Sequence, residues 1–498
     1  MFVDARELPD GHVVDADLCI VGAGAVGIAM ALQFDGGNAR VAVLESGGYK
    51  LDHETQSLYE GSHVGRLTYP LETNRLRYFG GTTGHWAGHC RPFDAFDFST
   101  REWIPHSGWP ITIEELDPYL AETQTVLELG KYRYDELENY ARQLKLPTLP
   151  LDSNRLISVM KHQSTPTRFG TVYRPALEKS RNVSVYLYSN ILELISNETA
   201  SRINSAEVAC IDGPRYKVRA RHFVLATGGL ENPRLMLLSN RTAAEGLGND
   251  NGLVGRFYTD HLLIRPAMDI SLSRTDLDFR LYTDKHDING GLIFGIMTPP
   301  AELTRRERLT RFRFHLYNVG PRYGSPVGGV FSDLDGGPEP APLTKEPGTY
   351  IQVHMAMEPI PNPDAFVRLG DDLDRFGQRK LECKWLVTEQ ELANARRAIE
   401  IGALEFARMG FGRAHAQILD RPDEWPDAFT SGKHHCGTTR MADNPKQGVV
   451  DRNCKVFGID NLFVTGSSIF PNIGHTNPTL NLIALSLRLA DHIKGRLA

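Results

Sequence analysis

The stretch DLCIVGAGAVGIAMALQF followed by ARVAVLESGG constrains this chain more than any other. Residues 18–21 form a short apolar run with β-branched members, which reads as a buried strand. Glycines follow at Gly22, Gly24 and Gly27, then an apolar helix over 28–34 and a second buried strand over 40–44. In such a unit the first glycine permits a tight turn. The second lets the backbone approach a pyrophosphate, and the third lets helix pack on strand. The helix N-terminus then offers free N–H groups and a positive dipole end to phosphate. Glu45 closes the second strand 23 positions after Gly22, where a carboxylate accepts ribose hydroxyls. The pattern predicts a bound dinucleotide and leaves FAD and NAD both open.

The rest of the chain bounds what this unit serves. At 498 residues there is room for two or three domains and an enclosed cofactor. A net charge of −6 gives no electrostatic reason to bind nucleic acid, and no basic run would draw the chain to an anionic membrane. The polar N-terminus has no signal-peptide pattern. No apolar stretch reaches the roughly 20 residues of a membrane span. Six scattered cysteines without a C-x-x-C pair read as reduced thiols of a cytoplasmic protein. Oligomeric state is left open.

After the first unit comes a Gly- and aromatic-rich loop, RYFGGTTGHWAGHCRPFDAFDF, then a helix, ITIEELDPYLAE, capped by Thr112. VSVYLYSNILELI alternates as a strand. Residues 217–220 form another short strand. HFVLATGGLENPRLML is a buried strand running into a glycine turn, with a helix starting at Pro233. From about residue 265 to 388, runs such as RFRFHLY and TYIQVHMAM suggest an antiparallel sheet, and a hairpin turns at Gly377. Residues 336–348, rich in Pro and Gly, read as a loop that is disordered or acts as a lid. A helix spans 389–409, and the chain closes with strand, glycine turn and helix.

The expected fold class is α/β plus α+β. A Rossmann-type dinucleotide-binding domain would comprise 1–105, 166–264 and 430–498. An inserted antiparallel-sheet substrate domain would comprise 106–165 and 265–429.

Seven segments carry a family resemblance, in order: GAGAVG with Glu45, GGTTGHWAG, ATGGLENPRLML, VGRFYTDH, PNPDAFVRL, HHCGTTRM and TGSSIFPNIGHTNPTLN. Together they resemble the glucose–methanol–choline (GMC) oxidoreductase family over nearly the whole chain. The sugar-oxidising branch, with pyranose oxidase and bacterial glycoside 3-oxidases, is most similar through its G-x-x-x-H-W loop and final N-P-T. The resemblance implies FAD. It places Gly81 and Thr82 beside the flavin ring, Thr227 and Gly228 over the adenosine–pyrophosphate, and Asn190 near adenine. It adds Ser46, Gly466, Ser467, Asn477 and Thr479 to the cofactor contacts. His85 matches the position that carries flavin covalently in pyranose oxidase. Relatives with dissociable FAD keep this histidine too, and a packing or hydrogen-bonding role is the expectation here.

Oxidising an alcohol removes a hydroxyl proton and a hydride, which goes to flavin N5, so the protein must supply a base and orient the substrate. The family places the base four residues before the Thr of a G-T motif. Thr438 selects His434, with the adjacent His435 in reserve. The partner position is Asn477, and His475 reads as a supporting histidine. No metal is expected, since the His and Cys spacings fit no common zinc pattern. The expected reaction is oxidation of a secondary alcohol of a sugar or glycoside to the ketone, with oxygen or a quinone-like molecule as acceptor. Alternatives are an oxidase of a non-sugar alcohol such as a sterol, a non-catalytic flavin carrier, and a lyase using FAD structurally.

Overall fold

The computed structural model describes residues 1–65, 69–273, 276–288, 290–318 and 350–498. The expectation for 336–348 lies outside the described residues. The dinucleotide unit extends the sequence reading at its first strand. Strand Val13–Val21 runs into helix Ala25–Leu32, and Val41–Leu44 follows. Leu18, Cys19 and Ile20 are fully buried, the near-continuous apolar burial required of a strand covered on both faces.

This strand pairs in parallel with Val41–Leu44 on one side and Arg215–Leu225 on the other. Val183–Leu187 and Phe2–Asp4 extend one edge in parallel. Leu462–Val464 joins Arg215–Leu225. Ile203–Ala209 and Asn190–Ser196 complete the sheet as an antiparallel meander. The 11-residue strand Arg215–Leu225 unites two pieces that the sequence separates at residues 220–222. Conversely, VSVYLYSNILELI is two strands, because Tyr188 takes a left-handed φ of 61° and breaks the run.

Helix Gly228–Leu238 starts before Pro233 rather than at it. Proline lacks the N–H that would satisfy the carbonyl four residues back. That carbonyl, on Gly229, instead accepts the Thr438 hydroxyl at 2.5 Å. The helix irregularity is thus tied to the G-T segment beside the candidate base.

A second, antiparallel sheet runs in the order Gly412–His415, Leu262–Leu272, Tyr350–Met357, Phe312–Asn318, Gly291–Thr298, Ile157–Gln163, His89–Cys90. Phe312, Phe314 and Leu316 are fully buried in its core, while Arg313, His315 and Tyr317 alternate to the other face. The Gly377 hairpin forms as expected from Phe366–Leu373 and Arg379–Trp385. It belongs, however, to a small separate sheet with Gly61–Gly65.

Thr112 and Glu115 form a capping box at helix Ile113–Val126. This helix buries Leu116 and Leu120 in the core that contains the parallel sheet and closing helix Thr479–Leu497. Among the described residues, no helix is long and apolar enough to cross a membrane.

Candidate functional site

A cleft opens along the carboxyl ends of the parallel strands. Its wall includes Gly22, Gly24, Glu45, Ser46, Gly81, Thr82, Thr227, Gly228, His434, His435, Gly466, Ser467 and Thr479. The N-termini of helices Ala25–Leu32, Gly228–Leu238 and Thr479–Leu497 meet there, since the residues that open each helix line the same cleft. Each presents unsatisfied N–H groups and a positive dipole end to it.

The glycines have distinct functions. Gly22 has φ +100°, and a Cβ there would lie 2.8 Å from the Ala226 carbonyl oxygen. A Cβ at Gly27 would collide with the Gly22 carbonyl. By contrast, a Cβ at Gly24, Gly228 or Gly466 would meet no atom within 4 Å. These three border open space, as a backbone cradle for phosphates and a flavin does.

Glu45 is buried and holds the turn. Its carboxylate accepts the N–H groups of Ala23 and Gly47, each at 2.9 Å. Asn74, also in the wall, is buried with both amide atoms lacking a partner among the described residues. The residues present therefore fit a dinucleotide.

Four expected contacts, Gly27, His85, Asn190 and Asn477, lie outside this wall. The Asn190 amide nitrogen points to the Tyr188 and Ala209 carbonyls, while its neighbours Ser189 and Ile191 line the cleft. His85 lies outside the wall, and Thr83 and Trp86 line it instead. Tyr59, Asn74, Arg75 and Arg77 were missed in the sequence. The arginine pair in NRLRYFGG, facing Glu231 (Arg75 at 2.8 Å), was the available signal.

At the end of the cleft, segment 259–264 pairs antiparallel with 429–436. This lays the D-H of YTDH against the H-H of SGKHHC. Asp260 accepts the His434 backbone N–H at 2.8 Å, which fixes the loop. Burial pushes the Asp260 carboxyl up to about 7.

The two adjacent histidines then diverge. His435 reaches Tyr69 Oη at 3.0 Å through Nε2, and the Tyr69 hydroxyl meets Tyr258 at 3.3 Å. His434 instead places Nδ1 2.9 Å from His261 Nδ1 and Nε2 3.4 Å from Asn477 Nδ2. His475 lies apart, fully buried, with Nε2 3.3 Å from Arg311 and from Thr298.

The hydrogen-bond chain fixes the His434 tautomer. His261 Nε2 faces the Gly474 carbonyl at 3.1 Å. A carbonyl only accepts, so this nitrogen carries the proton. Burial holds His261 well below the usual histidine range, so the ring is neutral and its Nδ1 is an acceptor. His434 Nδ1–H donates to it, which leaves His434 Nε2 as a bare lone pair. Asn477 Oδ1 accepts from Lys161 Nζ at 2.6 Å and Arg313 Nη2 at 3.2 Å, which turns its NH₂ toward that lone pair. His261, Asp260, Lys161 and Arg313 were not singled out from the sequence. Alternation in RFRFHLY was the sign that Arg313 faces away from the Phe312–Phe314 core.

A family model described as GMC oxidoreductase matches residues 361–486. Residues 361–486 thus carry a GMC oxidoreductase domain. A 2-methyl-1,2-propanediol dehydrogenase of Mycolicibacterium austroafricanum is 23% identical, over 96% of this chain and 95% of that one. A C-glycoside 3-oxidase of Microbacterium trichothecenolyticum is 26% identical, over 83% of this chain and 74% of that one. The fold matches a crystal structure of formate oxidase with a TM-score of 0.65 at 18% identity, covering 98% and 99% of the two chains. This GMC protein is a flavin-dependent alcohol oxidoreductase, and its cofactor is FAD. Because His85 lies outside the wall, acid precipitation of the purified protein should leave FAD in the supernatant. Flavin that pellets with the protein would instead identify a covalent link.

Proposed function

We propose that this enzyme oxidises a secondary alcohol of a sugar or glycoside to the ketone, with His434 as general base and Asn477 orienting the hydroxyl. The bare lone pair on His434 Nε2, facing the Asn477 amide, carries this reading. Bound in the cleft, FAD supplies the hydride acceptor. A substrate hydroxyl entering between Nε2 and Nδ2 gives its proton to His434 and receives a hydrogen bond from Asn477.

The inner face of the antiparallel sheet favours a polyol over a sterol, since Arg313, His315, Tyr317 and His354 face this side (His315 and Tyr317 rings 4.4 Å apart, Tyr317 and His354 4.1 Å). Polar groups that can pair with hydroxyls give specificity in such a pocket. The similarity to a C-glycoside 3-oxidase supports the same substrate class. Oxygen or a quinone-like molecule takes the electrons. The antiparallel sheet, with strand Ile157–Gln163 from the 106–165 segment, forms the substrate side, while helix Ile113–Val126 packs with the parallel sheet, and the six unpaired, buried thiols suit a cytoplasmic enzyme. Turnover with a sugar and glycoside panel should yield a ketone two electrons above substrate, with sterols inert. A product with no net oxidation would identify a lyase.

The account fixes a pH profile. Burial, with the cations Arg313, Arg265 and Lys161 nearby, pushes His434 down to about 3. The ring is therefore neutral and competent throughout ordinary pH. Asp260, raised by burial to about 7, is the group beside the base that titrates in this range, so in Asp260→Asn flavin reduction at saturating substrate should be flat from about pH 5 to about pH 8. An acid limb at the ordinary histidine value near 6.5 in that variant would contradict a neutral His434.

His261 is a positioning residue. His261→Phe removes the acceptor that holds His434 in the base tautomer and should slow flavin reduction by about 10- to 100-fold, the usual cost of losing such a partner. His261→Gln, whose amide oxygen can accept Nδ1–H, should retain more of the rate. Equal losses in the two variants would show that His261 acts only by packing.

A further inference from the structure

The chain pairs most of its buried cations with carboxylates. Arg75 meets Glu231 at 2.8 Å, Arg101 meets Glu358 at 2.6 Å, Arg234 meets Asp374 at 2.7 Å and Arg311 meets Asp94 at 2.5 Å. Arg440 has no carboxylate partner among the described residues, but rests 4.3 Å over the Phe257 ring and donates to the His106 carbonyl.

Lys161 and Arg313 break the pattern at the active centre. Lys161 is 1% exposed and Arg313 is 7% exposed. Both donate to one neutral atom, Asn477 Oδ1, at 2.6 and 3.2 Å. Arg313 Nη1 is buried with no hydrogen-bond partner among the described residues. The charged or ionisable neighbours that act on Arg313 are another cation, Arg265, and the Tyr317 phenol. Those that act on Lys161 are Arg313, Arg265, Arg91 and the Cys90 thiol. The rings of His89 and His315, 6.1 Å apart on the same sheet, are held in the neutral state by burial and by these cations. No carboxylate among the described residues forms an ion pair with Lys161 or Arg313.

Two basic groups that converge on one amide oxygen without a counter-ion disfavour each other's charge: burial, with Arg313 nearby, holds Lys161 well below the usual lysine range, and burial, with Arg265 nearby, pushes Arg313 down to about 10. The arrangement becomes favourable once an anion joins it. An Arg fork with a free Nη1, beside a lysine, is the donor set that a carboxylate accepts. The group that would be held lies one amide away from the His434 lone pair, so it is separated from the reacting hydroxyl by only a few bonds.

We propose that the substrate is an acidic polyol, a sugar acid or related hydroxy acid, whose carboxylate docks on Lys161 and Arg313 while its hydroxyl meets His434. This rests on the reading of the site as an alcohol-oxidising centre. The pair then has two functions: it selects acidic alcohols, and it fixes the orientation of the Asn477 amide.

The test uses the FAD-loaded enzyme. Malonate has no hydroxyl to oxidise, and its binding is read from the flavin absorbance, with malonamide as the neutral control. D-glucuronate and D-glucuronamide are compared as reductants of the flavin without oxygen. Malonate should bind at least about 10-fold tighter than malonamide, and glucuronate should outperform its amide by a similar factor. Lys161→Met, and Lys161→Gln should the first fail to fold, should erase both preferences. Malonate binding no tighter than malonamide, or a preference that survives both variants, overturns the proposal. If the malonate preference is present but no alcohol reduces the flavin, the anion site stands and the alcohol-oxidising reading fails. If neutral and acidic sugars reduce the flavin equally and Lys161→Met slows both alike, the cations serve only to hold Asn477, and the proposal is wrong.

Discussion

His434→Ala should retain FAD and fold, and should reduce the flavin about 10²–10⁴-fold more slowly, the range typical for loss of a general base. The selectivity follows from geometry. The FAD cradle is built from Gly24, Gly228, Gly466 and Glu45, and none of these depends on the His434 ring. The ring's contacts are His261 and Asn477, and the loop that carries it is held through its backbone by Asp260. Alanine keeps that backbone bond. Asn477→Ala should cost less, because an amide orients the hydroxyl rather than taking its proton. It would also strand Lys161 and Arg313 without their shared acceptor. His435→Ala is the control. This ring bonds Tyr69 on the far side, so its loss should appear in thermal stability before it appears in flavin reduction. Should His435→Ala abolish flavin reduction while His434→Ala leaves it nearly intact, the two roles are exchanged.

Gly24→Val should produce folded protein that cannot hold FAD, with affinity lower by about 100-fold or more. Gly24 has φ −80°, a conformation open to any residue, and a Cβ there meets no protein atom within 4 Å. The Cβ of the new side chain therefore meets nothing among the described residues. The new methyls instead occupy the space at the first turn of helix Ala25–Leu32, where phosphate must approach backbone N–H groups. Gly22→Val is a less informative change, because its φ of +100° and the Ala226 carbonyl at 2.8 Å would damage the fold as well. The measurement is visible absorbance of the purified variant, with thermal unfolding compared against apo wild type. A yellow Gly24→Val protein with undiminished FAD affinity would place the cofactor elsewhere.

Much of the architecture was legible because it rests on local rules. The β-turn-α-β unit around Gly22–Gly24–Gly27, the Thr112 cap and the Gly377 hairpin each declare themselves within a few residues. Errors arose where tertiary contacts overrode local pattern. Alternation alone does not show the break at Tyr188. Pro233 looked like a helix start because the sequence does not reveal that Thr438 satisfies the carbonyl it frees.

The site divides in the same way. His434, Asn477 and the cleft glycines sit in short motifs and could be named. His261 and Lys161 could not, because they reach His434 and Asn477 only through pairings across 173 and 316 positions. The buried charge of Arg313 shows only in the fold. In sequence it is one basic residue in an alternating strand, and nothing there says that no carboxylate faces it.

The central claim is that a bound alcohol delivers two electrons to the flavin in a site where His434 takes the hydroxyl proton. It is tested most directly by mixing the FAD-loaded enzyme with sugars, glycosides and sugar acids in the absence of oxygen and following flavin absorbance. The account predicts rapid bleaching by at least one of them in the wild type, about 10²–10⁴-fold slower bleaching by the same compound in His434→Ala, and no bleaching by sterols. Absence of bleaching by every alcohol, or equal rates in wild type and His434→Ala, would contradict it.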